Sequence, residues 1–172
     1  AYRMDKKEAD WEKNDITDQI DYSRYYGGAG CSFFRCANVL DNTKGIYDEL
    51  KNVYYKYPAQ LPPLKWLDDA VPEAPSEIKV RKENNELELT WDVPEGKSDS
   101  LSYTVYYAIN DSVDTQTSSH MLATGVRGNS FRLPLTDETE RMYSFCVTSS
   151  TRYRIESKPS KETIYYLLPY EK

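Results

Sequence analysis

Leu87-Glu88-Leu89-Thr90-Trp91-Asp92 alternates apolar and polar residues without a break. A β-strand sends successive side chains to opposite faces, so Leu87, Leu89 and Trp91 share one buried face while Glu88, Thr90 and Asp92 share the other. The same period of two recurs on either side. Ile78 and Val80 precede it; Tyr103, Val105 and Tyr107 follow, then Phe131, Leu133 and Leu135, then Tyr143, Phe145 and Val147. Turn-forming text separates these runs at Glu83-Asn84-Asn85, Pro94-Glu95-Gly96, Asn110-Asp111, Gly125 with Gly128-Asn129, and Thr136-Asp137-Glu138. Short alternating strands at close spacing predict an all-β sandwich from about Val71 to the C-terminus.

Upstream of Val71 the pattern changes. Trp11, Ile16 and Ile20 fall at roughly helical offsets between Asp5 and Tyr22, a weakly amphipathic stretch that Asn14-Asp15-Ile16-Thr17 could interrupt. Tyr25-Tyr26-Gly27-Gly28-Ala29-Gly30 ends that helix, since a glycine-rich run favours a turn or close backbone approach. Cys31-Ser32-Phe33-Phe34-Arg35-Cys36 reads as a short buried strand and Ala37 to Thr43 as a polar loop. A second helix is expected from Lys44 or Gly45 to about Tyr57, with Ile46, Leu50, Val53, Tyr54 and Tyr57 on one face and Pro58 ending it. Pro62, Pro63, Pro72 and Pro75 mark linker text, in which the apolar Trp66 and Leu67 are expected to pin the chain down. The reading is therefore of two parts, 1–70 and 71–172.

Charge narrows the function classes. The net charge of −6 argues against a general grip on nucleic acid or an anionic membrane. No apolar run approaches the ~20 residues a membrane-crossing helix needs. The chain starts at Ala1-Tyr2-Arg3, which reads as a processed product or an excised piece. Cys31 and Cys36, on a strand, would stand roughly 16 Å apart, too far for a disulfide. Cys146 lies between two inward positions and is expected to point outward. No Cys/His spacing suggests zinc, and neither a metal nor a cofactor is expected.

Residues 72–168 resemble a fibronectin type III domain. Pro72 and Pro75-Ser76 lead the first strand, Leu89-Thr90-Trp91 forms the second-strand signature, and Tyr103-Thr104-Val105-Tyr106-Tyr107 the third. Leu135 followed by Tyr143-Ser144-Phe145-Cys146-Val147 matches the corner and strand beyond it, with Tyr143 as the corner tyrosine. Glu156-Ser157-Lys158-Pro159-Ser160 matches the turn into the last strand. The resemblance implies that Trp91 plugs the core and that the Tyr143 hydroxyl satisfies a backbone group.

The first 70 residues are similar to the end of a bacterial glycosyl-hydrolase-like family 10 protein. The matching text is Ile16 to Arg24, then Gly30 through Arg35, and the exit Tyr55 to Trp66, Tyr-Lys-Tyr-Pro-Ala-Gln-Leu-Pro-Pro-Leu-Lys-Trp. In that family a (β/α)8 barrel closes with a strand and helix, then exits through prolines into a small β-domain. Roughly 200 further residues would complete such a barrel, and they would carry most of its catalytic carboxylates. By this analogy Arg35 and Asn38, just after the last barrel strand, are candidate substrate-binding residues in the parent barrel.

Other candidates have plainer readings. Asp68-Asp69 lies in the linker and Glu138 and Glu140 in a turn, so neither pair is placed to flank a glycosidic bond. His120, the only histidine, reads as a loop residue after Ser118-Ser119. Tyr54, Tyr55 and Tyr57, or Tyr165, Tyr166 and Tyr170, could stack on sugars, although helix-spaced aromatics more often serve a core. No residue of this chain is assigned a catalytic role.

The sum is an expected accessory region at the C-terminal end of a secreted or envelope-attached glycoside-hydrolase-like protein. Its expected partner is a polysaccharide or cell-envelope glycan, not nucleic acid. Self-association through the 30–36 strand is a further expectation, because a lone strand leaves its backbone groups unpaired. The alternative is a self-contained glycan- or protein-binding module.

Overall fold

A computed structural model describes residues 4, 11–93, 100–136 and 141–168. The chain divides into two compact units, Ala1–Lys56 and Tyr57–Lys172. The larger is mainly β. Its strands are β1 (Ser76–Glu83), β2 (Glu86–Asp92), β3 (Ser102–Ile109), β4 (Met121–Val126), β5 (Ser130–Pro134), β6 (Arg141–Ser150) and β7 (Thr163–Leu167). They form two antiparallel sheets, ordered β1-β2-β5 and β4-β3-β6-β7.

The alternating residues make the core of this unit. Leu87, Leu89 and Trp91 from β2 cluster with Tyr103 and Val105 from β3 and Tyr143, Phe145 and Val147 from β6. Trp91 is 1% exposed, and its ring lies 5.3 Å from that of Tyr103. Ile78, Val80, Tyr107, Phe131 and Leu133 pack around the cluster. Leu101, Leu122, Val126, Tyr165 and Leu167 join it from positions the alternation does not reach.

Strand β4 was masked by its glycine. Gly125 reads as a turn, yet it sits inside β4 with a φ of 72° at a place where the β3–β4 register slips. At the β1–β2 hairpin the expected turn forms, with Asn84 left-handed at φ 54°. The neighbouring Asn85 accepts a backbone bond from Leu135 and returns one from Nδ2 to the Leu135 carbonyl, at 2.9 and 2.8 Å. The hairpin end is thereby tied to the end of β5. The turn at Pro94-Glu95-Gly96 and the residues Asp137 and Glu138 lie outside the described residues.

Two side chains of β6 fill out the picture. Cys146 lies outside the inward core cluster, as its position between Phe145 and Val147 implies, and it is buried because β6 is covered on both faces from Tyr143 to Ser149. Burial, reinforced by the Glu162 carboxylate, pushes its thiol up to about 11, so it stays protonated. Tyr143 is buried and stacked on Phe145 at 6.1 Å, but its hydroxyl has no backbone partner among the described residues. Residues 137–140, just upstream, are not among them.

The smaller unit holds a second core of Met4, Ile16, Ile20, Ile46 and Leu50. Helix α1 (Lys13–Tyr25) runs through Asn14–Thr17 without a break. Asp15 accepts the Glu12 backbone N–H at 2.7 Å, and the Thr17 hydroxyl bonds back to the Asn14 carbonyl at 3.2 Å. Residues that compete with a helix in its interior support it at its first turn. The glycines end it as expected. Gly28 packs so closely on Ser23 that a Cβ there would fall 2.8 Å from the Ser23 carbonyl oxygen.

The segment 31–36 is not a strand. Cys31 to Arg35 is irregular, Cys31 and Cys36 are exposed free thiols, and Cys36 opens α2 (Cys36–Leu40) in place of the expected loop. A strand needs neighbours for its backbone groups, and the described residues of this unit offer none. The expected barrel-end helix–strand–helix is thus helix–coil–helix, and the strand edge on which self-association rested is absent. The next helix, α3 (Ile46–Glu49), widens into a π-turn over Leu50–Tyr54, with the Tyr55 N–H bonded to the Leu50 carbonyl at 2.7 Å. The wider turn rotates the later residues, so Ile46 and Leu50 are buried while Val53 is 61% exposed.

On sheet β1-β2-β5, Glu88 is held by Arg81, Nε to Oε2 at 2.7 Å, and by Arg132, Nη2 to Oε1 at 3.1 Å. The Arg81 bond, with help from Arg132, holds the Glu88 carboxyl below its ordinary 4.5.

Two outcomes are expected. Trp91→Ala leaves a cavity between the sheets and lowers unfolding stability by about 3–5 kcal/mol in denaturant melts. Below about pH 4.5 the unfolded chain protonates Glu88 before the folded chain does, so stability is lost as pH falls. Glu88→Gln should therefore show a flatter decline than the natural protein in acid melts.

Candidate functional site

The outer face of sheet β4-β3-β6-β7 is polar and yet buried. Thr104 and Tyr106 alternate with the inward Tyr103 and Val105, and Thr148 lies opposite Thr104 on β6. All three are 2% exposed or less. Segments 59–64 and 151–160 accompany this face. The Leu64 N–H bonds the Tyr153 carbonyl at 2.9 Å, and Ser157 and Ser160 bond the backbone of Ser149 and Val147.

One carboxylate oxygen organises the face. Glu156 Oε1 accepts from Gln60 Nε2 at 2.7 Å, from the Tyr106 hydroxyl at 2.9 Å and from the Thr148 hydroxyl at 2.5 Å. Gln60 Nε2 also lies 3.0 Å from Thr104 Oγ1 and 3.1 Å from the Tyr106 oxygen. Burial, and then the charge of Glu156, push the Tyr106 phenol far above its ordinary value, so it remains a donor. Gln60 and Leu64 thus pin the proline-rich segment to the sandwich. Trp66 and Leu67, the expected pins, are 77% and 58% exposed.

Beside this network opens a cleft of about 340 Å³. Gln60 and Leu61 line one part, Ser102, Thr124 and Ser150 another, and Arg127, Arg152 and Arg154 complete it. The Thr124 hydroxyl sits 3.3 Å from that of Thr104, which joins the cleft to the network. None of the described lining residues is acidic.

The sequence candidates fall elsewhere. Arg35 is exposed, one residue before α2, whereas Asn38 is 3% exposed with its Oδ1 unpartnered among the described residues. Tyr54 donates to Asp21 Oδ2 at 2.9 Å, and the Arg24 guanidinium lies over the Tyr54 and Tyr55 rings at 5.4 and 5.6 Å. Arg24 thus occupies one face of each ring, while Tyr55 and Tyr57 are 45% and 40% exposed. Tyr165 packs on the sandwich core and Tyr166 is exposed, while Tyr170 is outside the described residues.

Among the described residues no two carboxyl groups face each other across a cleft. Retaining or inverting hydrolysis needs carboxyl groups on both sides of the bond to be cut. Asp18 and Asp21 line one open surface with Tyr22 and Tyr25, but all four project from a single face of α1. Asp68 is exposed and accepts the Ala70 N–H at 3.0 Å, and Glu138 and Glu140 lie outside the described residues. His120 Nδ1 accepts the Asp114 N–H at 3.0 Å, a bond that shapes its own loop. Among the described residues, no group of three or more His, Cys, Asp or Glu side chains is placed to hold a metal. The described residues likewise include no helix long and apolar enough to cross a membrane.

No family model matches the chain. It is 31% identical over 137 residues to "Glycosyl hydrolase YngK" of Bacillus subtilis (strain 168), covering 78% of this chain and 26% of that protein. The chain is thus distantly homologous to a glycosyl hydrolase and spans about a quarter of its relative's length. Among solved structures, the Family 28 exopolygalacturonase of Yersinia enterocolitica aligns with a TM-score of 0.43 at 14% identity, over 58% of this chain and 21% of that one. Arg127, Arg152 and Arg154 escaped the sequence reading because they sit at loops and strand ends, where no periodicity marks them.

Glu156→Ala should leave the Tyr106 and Thr148 hydroxyls without their carboxylate acceptor and Gln60 with one acceptor fewer. The expected loss is about 1–3 kcal/mol in unfolding stability, together with faster proteolysis near residues 57–67 in limited digests.

Proposed function

We propose that this chain is the non-catalytic, accessory C-terminal region of a glycoside-hydrolase-like protein of the bacterial family 10 type, secreted or attached to the cell envelope. The observation that carries this reading is the homology to a glycosyl hydrolase about four times as long as the matched region. Two further features support it. The described carboxylates form no pair facing across a cleft, while the cleft beside Gln60 is lined by hydroxyl and guanidinium groups suited to holding a ligand. The three-plus-four strand order favours a fibronectin type III-like assignment for the larger unit.

On this reading residues 1–70 belong to the trailing end of the catalytic domain and 71–172 to the accessory sandwich. Arg35 and Asn38 would line one wall of the glycan site when the remaining barrel is present. The sandwich would space or orient that barrel, or hold the polysaccharide on which it acts.

The test is turnover of reducing-end-labelled oligosaccharides. The 172-residue chain should release no product, whereas the longer protein containing it should hydrolyse at least one. Cleavage by the chain alone would overturn the accessory reading. Absence of turnover by both, with glycan binding retained by the chain, would favour a self-contained binding module instead.

A further inference from the structure

The chain carries a net charge of −6, yet its cleft beside the Gln60–Glu156 network presents Arg127, Arg152 and Arg154 and, among the described residues, no carboxylate. Among the described residues none of the three makes an ion pair, unlike Arg81 and Arg132 on the other sheet. Unneutralised guanidinium groups in a concave site concentrate anions and bind carboxylates by two parallel hydrogen bonds.

Two of the arginines are oriented in advance. Arg127 Nη1 donates to the Leu101 carbonyl at 3.1 Å, and the Arg152 guanidinium lies 4.5 Å over the Tyr153 ring and bonds its hydroxyl. The third sits on a tight loop. The Arg154 N–H bonds the Thr151 carbonyl and the Thr151 N–H bonds the Ile155 carbonyl, at 2.9 and 3.0 Å, which holds Arg154 at a left-handed φ of 64°. Such a backbone at a non-glycine residue persists only where its surroundings impose it, and such sites are often binding sites. The cleft lining adds the hydroxyls of Ser102, Thr124 and Ser150, and no atom lies within 4 Å of where a Cβ on Gly125 would stand.

We propose that this cleft binds a carboxylate-bearing saccharide, a uronic-acid unit of an acidic polysaccharide. The guanidinium groups pair with the carboxylate and the Ser and Thr hydroxyls with the sugar hydroxyls. The saccharide half of this assignment rests on the glycan-linked function proposed above; the anionic half rests on the arginines themselves.

The test is calorimetric titration of the full chain with glucuronate, galacturonate and mannuronate trisaccharides, their methyl esters, and the non-sugar tricarboxylate tricarballylate. At least one free-acid trisaccharide should bind, about tenfold or more tighter than its ester, with binding weakened by added salt. Arg154→Ala and Arg154→Lys should each weaken binding, the alanine variant by about tenfold or more, with thermal unfolding unchanged. Arg127→Lys should do the same through loss of the two-pronged contact. No binding by any uronate, or equal binding of ester and acid, would overturn the proposal; in the second case the glycan-linked function would stand. Tricarballylate binding as tightly as the best uronate would overturn the saccharide assignment while leaving an anion site.

Discussion

The central strands β3 and β6 are buried on both faces of their sheet, and the arrangement of the larger unit depends on that constraint. Seven successive residues of β6, Tyr143 to Ser149, are buried. Their inward members complete the apolar core around Trp91, where burial needs no partner beyond close packing. Their outward members include polar groups, which lose water on burial and must find hydrogen bonds. Glu156 and Gln60 supply those bonds to Thr104, Tyr106 and Thr148. A segment rich in proline thus becomes part of the sandwich through two polar side chains and one backbone N–H.

The smaller unit is held differently. Its core is a handful of aliphatic side chains, supplemented by charged and polar contacts from Lys13 to Glu49, Lys44 to Glu12 and Tyr54 to Asp21. Exposed ion pairs contribute little each. Tyr25 and Tyr26 stand 81% and 79% exposed, and their rings contact each other edge to face at 5.0 Å. A small core beside large exposed rings suits a segment that forms part of a larger domain, in keeping with the proposed relation to a longer glycoside-hydrolase-like protein.

Two carboxylates of the larger unit are committed to structural contacts. Cleaving a glycosidic bond requires one carboxyl held protonated and another across the substrate. Glu156 has one oxygen committed to three donors, and Glu88 is engaged by two arginines. The buried Cys146 thiol is protonated near neutral pH and out of contact with solvent. The described cleft lining offers hydroxyl and guanidinium groups.

The two-residue period, recurring from Ile78 to Val147 between turn signals, was enough to predict the β-strands of the sandwich, because alternation on a pleated backbone puts the apolar side chains on one face. The same period placed Tyr103, Val105, Phe145 and Val147 in the core, and the glycine run at 27–30 fixed where α1 stops. Local pattern could not decide whether Cys31–Cys36 becomes a strand, since that depends on a neighbour to complete its hydrogen bonds. Nor could it show that Gly125 sits inside β4, that Cys146 is covered, or that a π-turn carries Val53 away from Ile46. The cleft was the least legible feature. Gln60, Thr124, Arg127 and Arg154 are far apart in sequence and carry no shared motif. They meet only because β3, β4 and β6 bring loops together at one end of a sheet, and tertiary structure alone made that decision.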